Sequence, residues 1–310
     1  ELWDRAGLDR QPSRVLPVGE APAAAAALDR GHGTVWAGDA REGFHGGGHL
    51  TRWVHDEATQ RTALDLLGAH CDMVRVMPFV EGTPCSIHAI VLDDGEAVLR
   101  PVEMVTLRHA GALLYAGCAT FWDPTPGVRE QMRTAARRVA RLLRDEAGFR
   151  GTFTIDGIAA DDGFWPTELN PRYGAGINTI ARAGGEVPIL LLHDLAVAGH
   201  PLGVDAAGLE QVLVAAADQH RGGGTWLPDR STDVVEARPV NYDGQAWHWS
   251  PDGDPGDATF AAGPGFARCG FHPERTPTGP SVSTRAAAFW NFARRRIDLG
   301  LGPVSPTGPV

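Results

Sequence analysis

The chain has 310 residues and a formal net charge of −10. That length can bury a sizeable core and divides into more than one domain, and no apolar run is long enough to span a membrane. The acidic balance excludes general nucleic-acid binding, which draws on Lys and Arg at phosphates; all 28 basic residues are Arg, so any phosphate site here must do without Lys. Cys71, Cys85, Cys118 and Cys269 are scattered with no C-x-x-C, which fits reduced thiols in a cytoplasmic protein better than disulfides or zinc.

In chain order, Glu1 to Gly7 reads as the end of a helix; the chain opens on Glu1 rather than Met and abruptly in that segment, which suggests a piece of a longer protein, and no signal peptide opens it. Arg14 to Val18 is a strand, Ala21 to Arg30 an Ala-rich helix with Pro22 near its start, and Gly33 to Ala37 a strand. Gly38 to Gly48 is a Gly-rich loop; glycines let backbone N–H groups approach phosphates, although the Lys of a Walker loop is missing. Ala58 to Ala69 is helical, and Met73 to Val80 is an apolar strand ending in the turn Glu81 to Pro84. Cys85 to Leu92, Glu96 to Leu107 and Leu113 to Phe121 are strands. In Gly127 to Gly148, Met132, Ala136, Val139 and Leu143 recur at helical spacing, and Arg129, Arg133, Arg137 and Arg141 form a solvated face.

Gly151 to Arg172 follows as a hairpin. Thr152 to Ile158 and Phe164 to Leu169 flank a three-residue turn, Asp161-Asp162-Gly163. Centred on Asp162, this hairpin sets Asp156 opposite Glu168 and Thr154 opposite Asn170. Side chains two apart share a face, so Asp156, Glu168 and Asn170 project together. Facing carboxylates repel and call for a cation; hard divalent ions such as Mg²⁺ take carboxylate and amide oxygens. Arg172 ends the same strand and would neutralise a phosphoryl group or an oxyanion. Gly174 to Gly176 is a flexible turn, Val187 to Ala198 and Ala206 to His220 are helices, and Gly222 to Gly224 is a linker. Short strands at Val234 to Tyr242, Ala246 to Ser250 and Ala258 to Phe271 come next, then a helix from Thr284 to Leu299 and a disordered Gly/Pro tail.

Asp156, eleven intervening residues and then Glu168-Leu169-Asn170-Pro171-Arg172 resemble the metal-binding end of the ATP-grasp superfamily. PFVEGTPCSIH, VLRPVEMVTLR, FWDP and TELNPRYGAG narrow the resemblance to the peptide-ligase group typified by the pheganomycin ligase. It implies an α+β ATP-grasp fold, two subdomains with antiparallel sheets sandwiching a nucleotide. Residues 1–205 would be this domain, with the Gly-rich-loop subdomain at about 30–75 and the metal-site subdomain at about 76–205. Residues 206–232 would be a helix and linker and 233–310 a small C-terminal domain, the family's preceding N-terminal domain being missing.

The resemblance also implies roles. Asp156, Glu168 and Asn170 would bind Mg²⁺ (or Mn²⁺), and Arg172 would contact the γ-phosphate or an acyl phosphate, with Arg100 as a second phosphate contact. Met77, Pro78 and Phe79 would line the adenine, Met77 and Phe79 through backbone groups, and Glu81 would reach the ribose or the adenine amine. Gly46 and Gly47 belong to the loop over the phosphates. Trp36 stands where the family has a Lys, and Arg41 is the expected substitute. The implied activity is an ATP-dependent ligase: ATP phosphorylates a small-molecule or peptide carboxylate, and an amine attacks the acyl phosphate. A degenerate nucleotide-binding scaffold is the alternative, and a carboxylase of the biotin type a third reading.

Overall fold

Stretches rich in β-branched residues become strands and Ala/Leu/Arg-rich stretches become helices. The computed structural model of the chain describes residues 2–43, 48–185, 187–228 and 235–307. Among the described residues, sixteen strands join into one hydrogen-bonded sheet flanked by eight α-helices, and no helix is long and apolar enough to cross a membrane.

The first part comprises α1 (Leu2–Arg5), β1 (Arg14–Pro17), α2 (Ala21–Leu28), β2 (Thr34–Ala40), β3 (Thr51–Val54), α3 (Glu57–His70) and β4 (Cys71–Pro78). The strand order is β1-β4-β2-β3, antiparallel throughout. Alternation gives the strands two faces. Trp36, Val74 and Val76 pack with Ala24 and Leu67 of the covering helices. Val35, Ala37, Arg75 and Met77 lie half-buried on the other face.

The middle part adds β5 (Thr83–Val91), β6 (Glu96–Val98), β7 (Val102–His109), β8 (Ala112–Ala119), α4 (Pro126–Ala147), β9 (Gly151–Ala160) and β10 (Gly163–Asn170), then α5 (Ala175–Ala183), α6 (Ile189–Val197) and α7 (Ala206–Gln219). β5 is buried along its whole length between β7 and β9. Met132, Ala136 and Val139, the stripe read from sequence, pack against Ile87, Phe153 and Ile155. The arginine face of α4 is not simply solvated: Arg133 and Arg137 both bind Glu210, and Arg129 binds Asp218, which ties α4 to α7.

The hairpin reaches its expected pairing by another route. Gly163 pairs with Ala160, so the turn is the two residues Asp161 and Asp162 rather than three. That register would set Thr167 opposite Asp156. A bulge between Pro166 and Glu168 absorbs the extra residue and brings Glu168 opposite Asp156 and Asn170 opposite Thr154.

The last part is β11 (Gly223–Leu227), β12 (Glu236–Tyr242), β13 (Trp247–Trp249), β14 (Ala258–Gly263), β15 (Phe266–Phe271), α8 (Ser283–Ala293) and β16 (Ser305–Pro306). Gly222 to Gly224, expected as a linker, leads into β11, which pairs with β8 and β15. Its glycines allow this close packing: a Cβ on Gly223 would sit 2.5 Å from Ala119 Cα, and one on Gly224 2.3 Å from Cys269 O. The tail is likewise not wholly free, since Ser305 and Pro306 pair with Arg108 and Leu107.

Candidate functional site

The site forms where the half-buried face of β2 and β4 meets the β9–β10 hairpin. Asp156 is partly buried on β9, with exposed Glu168 opposite it on β10. Ser86, paired with Asp156 from β5, donates its hydroxyl to Asp156 Oδ1 at 2.6 Å. Asn170 donates to Asp156 Oδ2 at 2.9 Å, and its oxygen accepts from Arg172 Nη2 at 3.3 Å. Burial pushes the Asp156 carboxyl up to about 6, and the neighbouring Glu168 charge adds to the rise against the hydrogen bonds from Ser86 and Asn170.

The donor set is one of oxygens, which hard divalent ions take. Among the described residues there is no group of three or more His, Cys, Asp or Glu that could enclose a metal. Two facing carboxylates with an amide beside them match Mg²⁺, which is held by one or two carboxylates and completed by substrate phosphates. Asn170 donates through its amide nitrogen to Asp156 and accepts through its oxygen from Arg172, so it ties the Asp156 carboxylate to the Arg172 guanidinium.

The segment Phe79 to Gly82 after β4, the hinge, adjoins a cavity of about 260 Å³ lined by Asp29, Gly31, His32, Gly33, Trp53, His55, Phe79, Glu81 and Arg108. The Phe79 and Trp53 rings lie with centroids 4.9 Å apart, tilted by 34°, and the Arg108 guanidinium lies 4.9 Å over the Trp53 ring. Glu81 is exposed, with one oxygen 3.4 Å from His32 Nδ1. Met77 lies on the cleft face. Phe79 donates its N–H to Gly33 O at 3.0 Å, so that donor is already used within the sheet. Pro78 lies in register with Thr34, and both are buried on the face away from the cleft.

Three of the expected phosphate and nucleotide contacts are placed elsewhere. Trp36 is fully buried in the core, its indole N–H donating to Thr34 Oγ1 at 2.9 Å; alternation along β2 turns it away from the cleft. Arg41 binds Asp72 at 2.7 Å and donates to the carbonyls of Gly68, Ala69 and Cys71, which satisfies the end of α3. Arg100 is fully buried, held by Asp123, Asp218 and the carbonyls of Thr120 and Trp122, so it braces the sheet against α7. Gly46 and Gly47 lie outside the described residues.

Residue-by-residue reading missed Ser86, Arg75 and His88. Ser86 and His88 share a face of β5 opposite Asp156 and Thr154, a periodicity visible in the sequence once β5 is known to neighbour β9. His88 is fully buried, with Nδ1 2.7 Å from Thr154 Oγ1 and Nε2 without a hydrogen-bond partner among the described residues. Burial holds its pKa down to about 3, so it is neutral. Gly174-Ala175-Gly176, expected as a flexible turn, starts α5; a Cβ on Gly176 would lie 2.3 Å from His88 Nε2.

No family model matches the chain. Over 118 residues it is 29% identical to the formate-dependent phosphoribosylglycinamide formyltransferase of Xanthomonas axonopodis pv. citri, a match covering 35% of this chain and 29% of that protein. The chain thus spans less than a third of the curated relatives it matches. The N5-carboxyaminoimidazole synthase of Aspergillus clavatus, solved with ADP and 5-aminoimidazole ribonucleotide, superposes with a TM-score of 0.56 at 11% identity, covering 90% of this chain and 67% of that one. The biotin carboxylase domain of the Hydrogenobacter thermophilus 2-oxoglutarate carboxylase, solved with MgADP and bicarbonate, gives 0.54 at 17% identity, covering 99% and 66%. The fold is that of the ATP-grasp enzymes.

Proposed function

We propose that the chain binds Mg·ATP and works as an ATP-dependent ligase joining a carboxylate to an amine through an acyl phosphate, with ADP and phosphate released. The observation that carries this reading is the in-register pair Asp156 and Glu168, flanked by Asn170 and Arg172. The relatives support the reaction class: one is named for a formate-dependent formyl transfer, and the solved structures hold ADP beside an amine-bearing ribonucleotide or bicarbonate. Peptide-bond formation is our narrower proposal, resting on the motifs from PFVEG to TELNPRYGAG.

When bound, Mg²⁺ would neutralise phosphate oxygens and orient the transferred phosphoryl group. Asp156 and Glu168 would hold it, and Ser86 and Asn170 keep the Asp156 carboxylate in place through their hydrogen bonds. Arg172 would neutralise the transferred phosphoryl group and then the oxyanion that develops on the acyl phosphate's carbonyl oxygen as the amine attacks and phosphate leaves. Met77, Phe79 and Glu81 would bound the base and ribose at the hinge.

Assay of the protein with Mg·ATP and a panel of carboxylic acids and amines, with hydroxylamine to trap an acyl phosphate as a hydroxamate, tests this reading. Acid-dependent ADP release with hydroxamate formation is the expected result. ATP hydrolysis that depends only on bicarbonate would point to a carboxylase instead. Nucleotide binding without turnover would leave the scaffold reading, which the structural duties of Trp36, Arg41 and Arg100 favour.

A further inference from the structure

This inference rests on the nucleotide reading above and asks what meets the phosphates in a chain without Lys. β2 contains neither Lys nor Arg. Of the nearby arginines, Arg41 is tied to Asp72 and the end of α3, Arg52 donates to the carbonyls of His49 and Thr51, Arg10 is paired with Asp4, and Arg100 is buried elsewhere.

Arg75 is placed differently. It lies on β4 in register with Ala37 of β2, on the face that Val35 and Met77 share and opposite the core of Trp36, Val74 and Val76. From there its side chain crosses the cleft, and Nη1 donates to the carbonyl of Thr167 at 2.9 Å. Thr167 is the bulge residue next to Glu168. That is its one hydrogen bond among the described residues, and it forms no ion pair there, so most of a guanidinium's five donors remain unspent. It is half-buried and close enough for its charge to interact with Glu168. Arg172, two residues beyond Asn170 at the end of β10, donates to the Asn170 oxygen.

We propose that Arg75 binds the phosphates of the nucleotide, supplying from β4 the positive charge that β2 lacks. Ala37, in register with it, is small, and Val35 and Met77 lie on the same face of the sheet toward the hinge. The ligand class is a nucleoside di- or triphosphate carried with Mg²⁺. Arg suits this position because its planar fork can bind two phosphate oxygens at once.

The test compares Mg·ADP with adenosine as calorimetric probes on wild type, Arg75→Gln and Arg75→Lys. The readout is the ratio of the two affinities, which is unaffected by partial unfolding because both ligands lose sites equally. Arg75→Gln is expected to lower the ratio by about tenfold or more, and Arg75→Lys to recover part of the loss. An unchanged ratio in Arg75→Gln, with wild type binding Mg·ADP, overturns the phosphate role alone. Equal losses for adenosine and ADP in folded Arg75→Gln also overturn it, because they mark Arg75 as a latch between β4 and β10. Failure of wild type to bind Mg·ADP overturns the nucleotide reading and this inference with it.

Discussion

Asp156 and Glu168 stand opposite each other on β9 and β10 because a bulge at Thr167 compensates for a two-residue turn. A single-residue slip moves every side chain to the other face of a sheet. Deleting Thr167 removes the bulge and still leaves Glu168 opposite Asp156. Inserting one residue between Thr167 and Glu168 carries Glu168 opposite Ile155, toward the buried face. Mg²⁺-dependent nucleotide binding is therefore expected to survive the deletion, within about tenfold, and to be lost in the insertion. Equal behaviour of the two variants would show that register does not govern the site.

Arg100 is a structural cation. Replacing it with Met takes the Arg100 donor from the Trp122 carbonyl, while Arg221 still reaches Asp123, Asp218 and the Thr120 carbonyl and Arg129 still holds Asp218; a buried acceptor left unpaired costs about 1–3 kcal/mol. Denaturant unfolding should show the loss, while the KM for ATP stays near the wild-type value. A raised KM without loss of stability would return Arg100 to the nucleotide site.

Gly176 gives His88 its space. The Cβ of Gly176→Ala would fall 2.3 Å from His88 Nε2, and overpacking of this kind costs about 1–3 kcal/mol. Coupling to His88→Ala in a double-mutant cycle should be large, because removing the imidazole relieves the contact. Additive effects would mean that α5 tolerates the methyl without involving His88.

Glu103 links the sheet to α8. It is fully buried, accepting from Ser281 Oγ at 2.5 Å and from the Val282 N–H at 2.9 Å. Burial raises its pKa from 4.5 to about 7 against the pull of those hydrogen bonds. The folded state thus keeps a proton that the unfolded chain releases near pH 4.5. Its contribution is fully present below that pH and is lost as pH rises to about 7, with no further loss above. The full span is about 3 kcal/mol. Unfolding of Glu103→Gln as a function of pH should lack this slope; an identical slope would assign it to other groups.

The sequence showed the acidic pair because a hairpin's face alternation is local: Asp156, Glu168 and Asn170 can be placed from spacing alone. The compensating turn and bulge were not legible, since a three-residue turn predicts the same pairing. Trp36, Arg41 and Arg100 were misplaced for a different reason. Their residue types suit a nucleotide site, but their direction depends on which strand face meets a helix and where Asp72, Asp123 and Asp218 fall in space. Ser86 and Arg75 were overlooked because their roles depend on long-range pairings, β5 with β9 and Arg75 with the Thr167 carbonyl.

Calorimetric titration of Mg·ADP into the protein and into Glu168→Gln tests the central claim most directly. The account predicts saturable, Mg²⁺-dependent binding to wild type and at least about tenfold weaker binding to the variant, roughly 1.4 kcal/mol. Equal affinities would remove Glu168 from the metal site, and no binding at millimolar Mg·ADP would contradict a nucleotide function altogether.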